Sequence, residues 1–100
     1  MTAPGRRPRG APAGGPFGAP APPPVRADEL LDARGLLCPL PIVETAKAVA
    51  RLAVGQILEI RSDDFGVLAD MPAWCKGTGH ELVAMREEPG LVLCWVRRTR

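Results

Sequence analysis

The 100-residue sequence has no tyrosine, a single histidine, four aromatic residues and three cysteines. Cys38, Cys75 and Cys94 are odd in number and form no C-x-x-C pair, which argues against a disulfide framework and for a reducing compartment. With only His80 beside them, they lack the spacing of a four-ligand zinc set. No apolar run approaches membrane-spanning length, and neither a secretory nor a transit signal is recognisable. A soluble, cytoplasmic protein with no membrane contact is therefore expected. No glycine-rich phosphate loop or other cofactor motif occurs, so no cofactor is expected. Nor are aromatic residues interleaved with basic ones, which counts against a nucleic-acid-binding face.

What is abundant is unevenly placed. Residues 1–26 are mostly Pro, Gly, Ala and Arg, with Phe17 as the one aromatic residue. Such a stretch buries too little apolar surface to offset the entropy of ordering it, and is expected to be disordered. It reads as a solvated linker, or as the product of a start codon lying upstream of a true start nearer Val25. The net charge of +2 hides an asymmetry, because Arg6, Arg7, Arg9 and Arg26 all lie in this tail. Residues 27–100 carry nine Lys or Arg against eleven Asp or Glu, so the folded domain is mildly acidic. At roughly 70 residues its core is small, and a monomer or weak dimer is expected.

Along the chain, Glu29 to Ala33 reads as a first strand ending at the turn-forming Arg34-Gly35. From Pro41 the period changes to that of a helix, with Ile42, Ala46, Val49, Ala50 and Ala53 on one face and Gly55 as the stop. Ile57 to Arg61 reads as a second strand, parallel to the first by the crossover rule. Ser62-Asp63-Asp64 reads as an N-cap cluster before Val67, Leu68, Met71, Trp74 and Cys75. Pro72 divides that helical segment into an initial turn and a second piece ending at Gly77 and Gly79. His80 to Glu87 and Leu91 to Arg97 flank Glu88-Pro89-Gly90 as a β-hairpin. The apolar run from Leu91 to Val96 lacks alternation, as in a strand buried within a sheet. The expected fold is an α/β two-layer sandwich of order βαβαββ, with two helices on one face of a mixed four-stranded sheet.

The chemistry centres on Cys38-Pro39-Leu40-Pro41. The prolines fix the backbone where an apolar run gives way to a helix, so Cys38 is expected at a helix N-terminus. Unpaired N–H groups and the helix dipole there favour a thiolate. The crossover puts this point at the carboxyl end of the first strand, the edge where open α/β sheets tend to hold their sites. A thiolate can attack a sulfane or disulfide sulfur, giving a persulfide or mixed disulfide. Cys75 and Cys94 read as packing residues, His80 as a partly exposed residue at a strand entrance, and Asp63-Asp64 as caps.

The run Asp32-Ala33-Arg34-Gly35-Leu36-Leu37-Cys38-Pro39-Leu40-Pro41 resembles the D-x-x-G-x-x-C-P-x-P signature of the TusA (SirA-like) sulfur-carrier family. Ser62-Asp63-Asp64, Asp70-Met71-Pro72-Ala73-Trp74-Cys75 and Gly79-His80-Glu81-Leu82 match in register. The resemblance covers Asp28 to Arg98 and none of the tail. It implies a sandwich like the C-terminal domain of translation initiation factor three, with the last strand inside the sheet. It also implies a sulfurtransferase-type carrier with little turnover chemistry of its own. Cys38 would accept sulfur as a persulfide from a cysteine desulfurase or rhodanese and pass it to an acceptor protein. Asp32, Gly35, Pro39 and Pro41 would support that cysteine, and Cys75 would match a second, usually non-carrying cysteine. Family members serve tRNA thiolation, molybdenum cofactor assembly or sulfur oxidation. Two positions depart from the pattern: Phe65 replaces a common proline, and Glu44 stands where relatives place a basic residue. Glu44, read as part of the first helical turn, is expected to oppose thiolate formation at Cys38, with Arg34 assisting it.

Two other function classes remain open on the residues alone. One is a regulatory or nucleic-acid-binding module with an incidental cysteine, disfavoured by the acidic balance of the domain. The other is a thiol redox protein using Cys38 and Cys75, which requires the two within disulfide range.

Overall fold

The computed structural model describes residues 22–100. Residues 1–21 of the expected tail lie outside the described residues. Six elements follow in the order β1 (Glu29–Asp32), α1 (Leu40–Ala50), β2 (Ile57–Ser62), α2 (Val67–Thr78), β3 (Glu81–Glu88) and β4 (Leu91–Arg97). The strand order is β1-β2-β4-β3, with β1 and β2 parallel and the other two pairings antiparallel. This is the expected βαβαββ sandwich with a mixed sheet. β4 lies inside the sheet and is buried from Val92 to Val96.

Alternation along β2 explains how the layers form. Leu58, Ile60 and Ser62 are buried beneath the helices, while Glu59 and Arg61 point to the opposite face and pair at 2.9 Å. Leu58 and Ile60 join Val92, Cys94 and Val96 of β4 in one cluster with Ala48, Val49 and Leu52, and with Val67, Met71 and Cys75 of α2. Removing that apolar surface from water is the main stabilising term of the domain.

The helices depart from the sequence-based expectation in three ways. α1 starts one residue earlier, at Leu40, and stops at Ala50, with Arg51 as its C-cap; Gly55, at φ +95°, instead turns the chain into β2. Its buried stripe is Pro41, Thr45, Ala48 and Val49, continued by Leu52, whereas Ala46, Ala50 and Ala53 are exposed. Alanine is tolerated on either face, and Thr45 is accommodated because its hydroxyl donates to the Pro41 carbonyl at 2.7 Å. α2 is one continuous helix: Pro72 lies inside it, where it has no N–H for the Leu68 carbonyl, and Gly77 lies within it too. It ends at Gly79, whose φ of +86° is the left-handed stop that glycine adopts without penalty.

The face of the sheet away from the helices is also covered. Ile57, Leu93 and Trp95 form a second buried cluster there, with Trp95 only 1% exposed. Val25 and Ala27 pack on this cluster, and Arg86 donates to the Pro22 carbonyl at 3.0 Å. Asp28 N–H donates to the Ile57 carbonyl, and Asp28 Oδ2 accepts from Ile57 N–H, both at 2.8 Å. Residues 22–28 thus form a strap over the outer face, although composition alone assigns 22–26 to the disordered tail.

Candidate functional site

Parallel pairing of β1 with β2 brings two loops to one edge: that from Asp32 toward α1, and that from Ser62 toward α2. The first carries Cys38 and the second carries Asp63 and Asp64. Asp32 holds the first loop at its root. Its Oδ1 accepts from Arg34 N–H and Nε at 3.1 and 2.9 Å, and its Oδ2 accepts from Arg34 Nη2 at 2.8 Å. These bonds draw the Asp32 carboxyl from 3.8 down to about 2. Gly35 follows at φ +87°, where a side chain would be strained, and its N–H donates to Asp63 Oδ1 at 3.0 Å.

Cys38 is exposed and precedes Pro39, the N-cap of α1, through a cis peptide bond; Pro41 is buried in the first turn. Its backbone N–H donates to Asp64 Oδ2 at 2.6 Å, and its thiol donates to Asp70 Oδ2 at 3.2 Å. Asp64 Oδ1 also accepts from Gly66 N–H at 2.9 Å, so a single carboxylate ties the entrance of α1 to that of α2. Asp63 does not cap α2, and Asp64 meets the expectation only in part: the N-cap is Gly66, whose N–H is the one that Asp64 Oδ1 accepts, while both acidic residues reach across to the cysteine loop.

The electrostatics at Cys38 run opposite to the expectation of a favoured thiolate. The hydrogen bond to Asp70 pushes the thiol above its ordinary pKa, and lost hydration and the charges of Asp70 and Asp64 add to that push. Glu44 is not the source. No acidic residue lies in the first turn of α1, and Glu44 pairs with Lys47 at 3.3 Å. Arg34 does not assist the sulfur as expected, since Asp32 occupies it. Asp70 stands in one of the matching sequence blocks, but its contact with Cys38 is not read from the sequence. The available signal is its place in the first turn of α2, next to the loop that meets Cys38.

The other candidates lie elsewhere. Cys75 and Cys94 are free, buried in the core and pushed by burial to about 11 and about 12, so their sulfurs are held as inert thiols. His80 follows the C-terminal end of α2, whereas Cys38 meets its N-terminal end. Twelve helical residues, roughly 18 Å, separate those ends. Nδ1 of His80 accepts from Thr99 N–H at 3.2 Å, and its ring lies 5.5 Å from that of Trp74. Among the described residues no group of three His, Cys, Asp or Glu is arranged to hold a metal ion, and no helix is long and apolar enough to cross a membrane. What remains at the edge is one accessible sulfur nucleophile among carboxylates.

Residues 29–98 match the family model described as sulfurtransferase TusA. YrkI of Bacillus subtilis (strain 168), a candidate sulfur carrier protein, is 42% identical over 74 residues, which cover 74% of this chain and 99% of that protein. The sulfur carrier protein TusA of Pseudomonas entomophila (strain L48) is 41% identical over 71 residues, covering 71% of this chain and 89% of that protein. In fold, the chain is similar to a SirA-like protein from Desulfitobacterium hafniense, at a TM-score of 0.62 and 20% identity, covering 72% of this chain and 99% of that one.

Proposed function

The chain belongs to the sulfurtransferase TusA family, and from that premise we propose that it relays sulfur by carrying it as a persulfide on Cys38. The observation that carries this reading is accessibility: of the three free cysteines, Cys38 is exposed while Cys75 and Cys94 are buried. In the loading step the Cys38 sulfur attacks the outer sulfur of a donor persulfide. A new S–S bond forms on Cys38, the donor's S–S bond breaks, and the electron pair stays on the donor cysteine. That thiolate takes up the proton given up by Cys38, so the exchange needs no external oxidant. The reverse chemistry hands the sulfur to the next protein.

The donor is a cysteine desulfurase or rhodanese, and the acceptor is a protein of tRNA thiolation, molybdenum cofactor assembly or sulfur oxidation. Little turnover occurs without them, and the carrier works in the cytoplasm as a monomer or weak dimer, without direct nucleic-acid contact. Leu37, Leu40 and Phe65 offer the docking surface: they are 72%, 47% and 44% exposed and lie within two residues of Cys38 or Asp64 in sequence. Asp32, Gly35, Pro39 and Pro41 set the loop that presents the sulfur. A redox role pairing Cys38 with Cys75 is less favoured, because the Cys75 thiol is buried in the core.

The test is incubation with a cysteine desulfurase and cysteine, alkylation, and mass analysis of the Cys38 peptide. A gain of about 32 Da, one sulfur atom, is expected on wild type and is absent in Cys38→Ser. Failure of wild type to gain it, or equal loading of Cys38→Ser, would defeat the reading. A Cys38–Cys75 disulfide under mild oxidant would favour the redox role instead.

A further inference from the structure

The carboxylates around Cys38 are unusual company for a nucleophile, and they come from the loop between β2 and α2 and from the first turn of α2. Asp70, on the first turn of α2, accepts a hydrogen bond from the Cys38 thiol at 3.2 Å. Asp64, before α2, accepts the Cys38 N–H, and Asp63 accepts the Gly35 N–H. Three nearby cations are engaged by other carboxylates, Arg34 with Asp32, Lys47 with Glu44 and Arg61 with Glu59, and Lys76 lies in the last turn of α2, at the end opposite Asp70. A thiolate formed in this setting would face the Asp70 carboxylate across a hydrogen-bond distance with no proton between them.

We propose that Asp70 is a positioning residue that keeps Cys38 as a thiol in the free protein, and that a cationic side chain of the sulfur donor, drawn to Asp70 and Asp64, releases the thiolate on docking. The proposal rests on the carrier reading of Cys38 and adds to it the chemistry of the partner. The free carrier would then react sluggishly with small oxidants and electrophiles, because only the thiolate is an effective nucleophile. A Lys or Arg against Asp70 reverses the local sign: the carboxylate turns to the cation, and the sulfur loses both its proton acceptor and its repulsive neighbour. The proton leaving Cys38 ends on the donor cysteine, whose S–S bond breaks in the same exchange. Selectivity follows from this arrangement, since a partner without a basic group at the contact meets a protonated sulfur.

Alkylation of Cys38 by iodoacetamide as a function of pH, read on the Cys38 peptide, tests the idea. Like charges about 3 Å apart, even at the dielectric constant of water, displace a titration by about one pH unit. Asp70→Asn is therefore expected to lower the midpoint of Cys38 alkylation by about one unit and to raise its rate at pH 7 about tenfold. Asp70→Ser should do the same, while Asp70→Glu keeps the wild-type midpoint. Tetralysine, as the cationic probe, should lower the wild-type midpoint and have little effect on Asp70→Asn. Unchanged midpoints in both neutral variants, or an equal response of wild type and Asp70→Asn to tetralysine, would overturn the proposal. Circular dichroism spectra matching wild type keep the comparison to folded protein. Desulfurase loading separates a failure of this inference from a failure of the carrier reading. If Cys38 loads but its midpoint ignores Asp70, only this inference falls; if the midpoint shifts but Cys38 never loads, the carrier reading falls.

Discussion

The strap formed by residues 22–28 can be removed in two steps that isolate its own contribution. One truncation begins at Pro22 and the other at Ala27, each behind an initiator methionine, so that the two differ only in Pro22 to Arg26. The shorter chain loses the Val25 packing on Ile57, Leu93 and Trp95 and the bond from Arg86 to the Pro22 carbonyl. Trp95, Leu93 and Ile57 are 1%, 6% and 8% exposed beneath the strap. Uncovering roughly 150 Å² of their surface, an order-of-magnitude share of what such side chains bury, costs about 4 kcal/mol, and Val25 adds about 1. Ordering the strap costs about 3 kcal/mol, a modest figure because Pro22, Pro23 and Pro24 have little φ freedom to lose. The balance is about 2 kcal/mol in favour of the strapped fold. In a domain of this size that corresponds to a melting temperature lower by about 10 °C for the chain that begins at Ala27. Thermal unfolding followed by circular dichroism gives the number. Emission from Trp95 in a Trp74→Phe background should shift to the red in the same comparison. Equal melting temperatures and equal emission would mean that residues 22–26 contribute no packing and belong to the tail.

Three further outcomes follow from the site and the core. Alkylation of the folded protein at pH 8 should label Cys38 and spare Cys75 and Cys94, whose thiols burial has pushed to about 11 and about 12; native labelling of either buried cysteine would contradict the packing. The Asp32 carboxyl sits lower in the folded chain than its ordinary value of 3.8, so its stabilising effect is complete above about pH 4 and is lost as the pH falls toward about 2. Asp32→Asn should accordingly flatten the acid limb of a stability-versus-pH curve over that window, and an unchanged limb would show that the Arg34 contacts carry no linkage. Ile60→Ala, at a fully buried position of β2, should cost about 2–5 kcal/mol by urea unfolding, and a loss below 1 kcal/mol would mean that the two layers are not packed through this residue.

Much of this architecture is legible in the residues, and the exceptions have physical causes. Leu58 and Ile60 alternate with Glu59 and Arg61, so β2 and its inner face follow from a period of two. The unbroken run from Leu91 to Val96 places β4 inside the sheet, but not all that covers its outer face: beside Val83, Ala84 and Leu91, the cluster holding Trp95 is packed by Val25, which sits in a composition that otherwise reads as tail, and by Ala27 just after it. The phase of α1 is hard to read because alanines fit on either side of a helix, while Thr45, polar by type, hides its hydroxyl on the Pro41 carbonyl. Pro72 suggests a break, yet the helix continues through it, with Met71 and Cys75 anchored in the core on either side. At the site, Cys38 stands out by the two prolines that follow it, Pro39 and Pro41. The roles of Asp64 and Asp70 depend on contacts spanning 26 and 32 residues, which no local pattern encodes. Glu44 reads as the opposing charge because it is near in sequence; Asp70 is the one near in space.

Cyanolysis of the loaded protein reports directly on whether sulfur travels on Cys38. Cyanide removes sulfane sulfur as thiocyanate, so protein loaded by a cysteine desulfurase and freed of small thiols should release a single equivalent per chain. Cys75→Ser and Cys94→Ser should release the same amount, and Cys38→Ser none. Thiocyanate from Cys38→Ser at the wild-type level, or none from the wild type, would contradict the account.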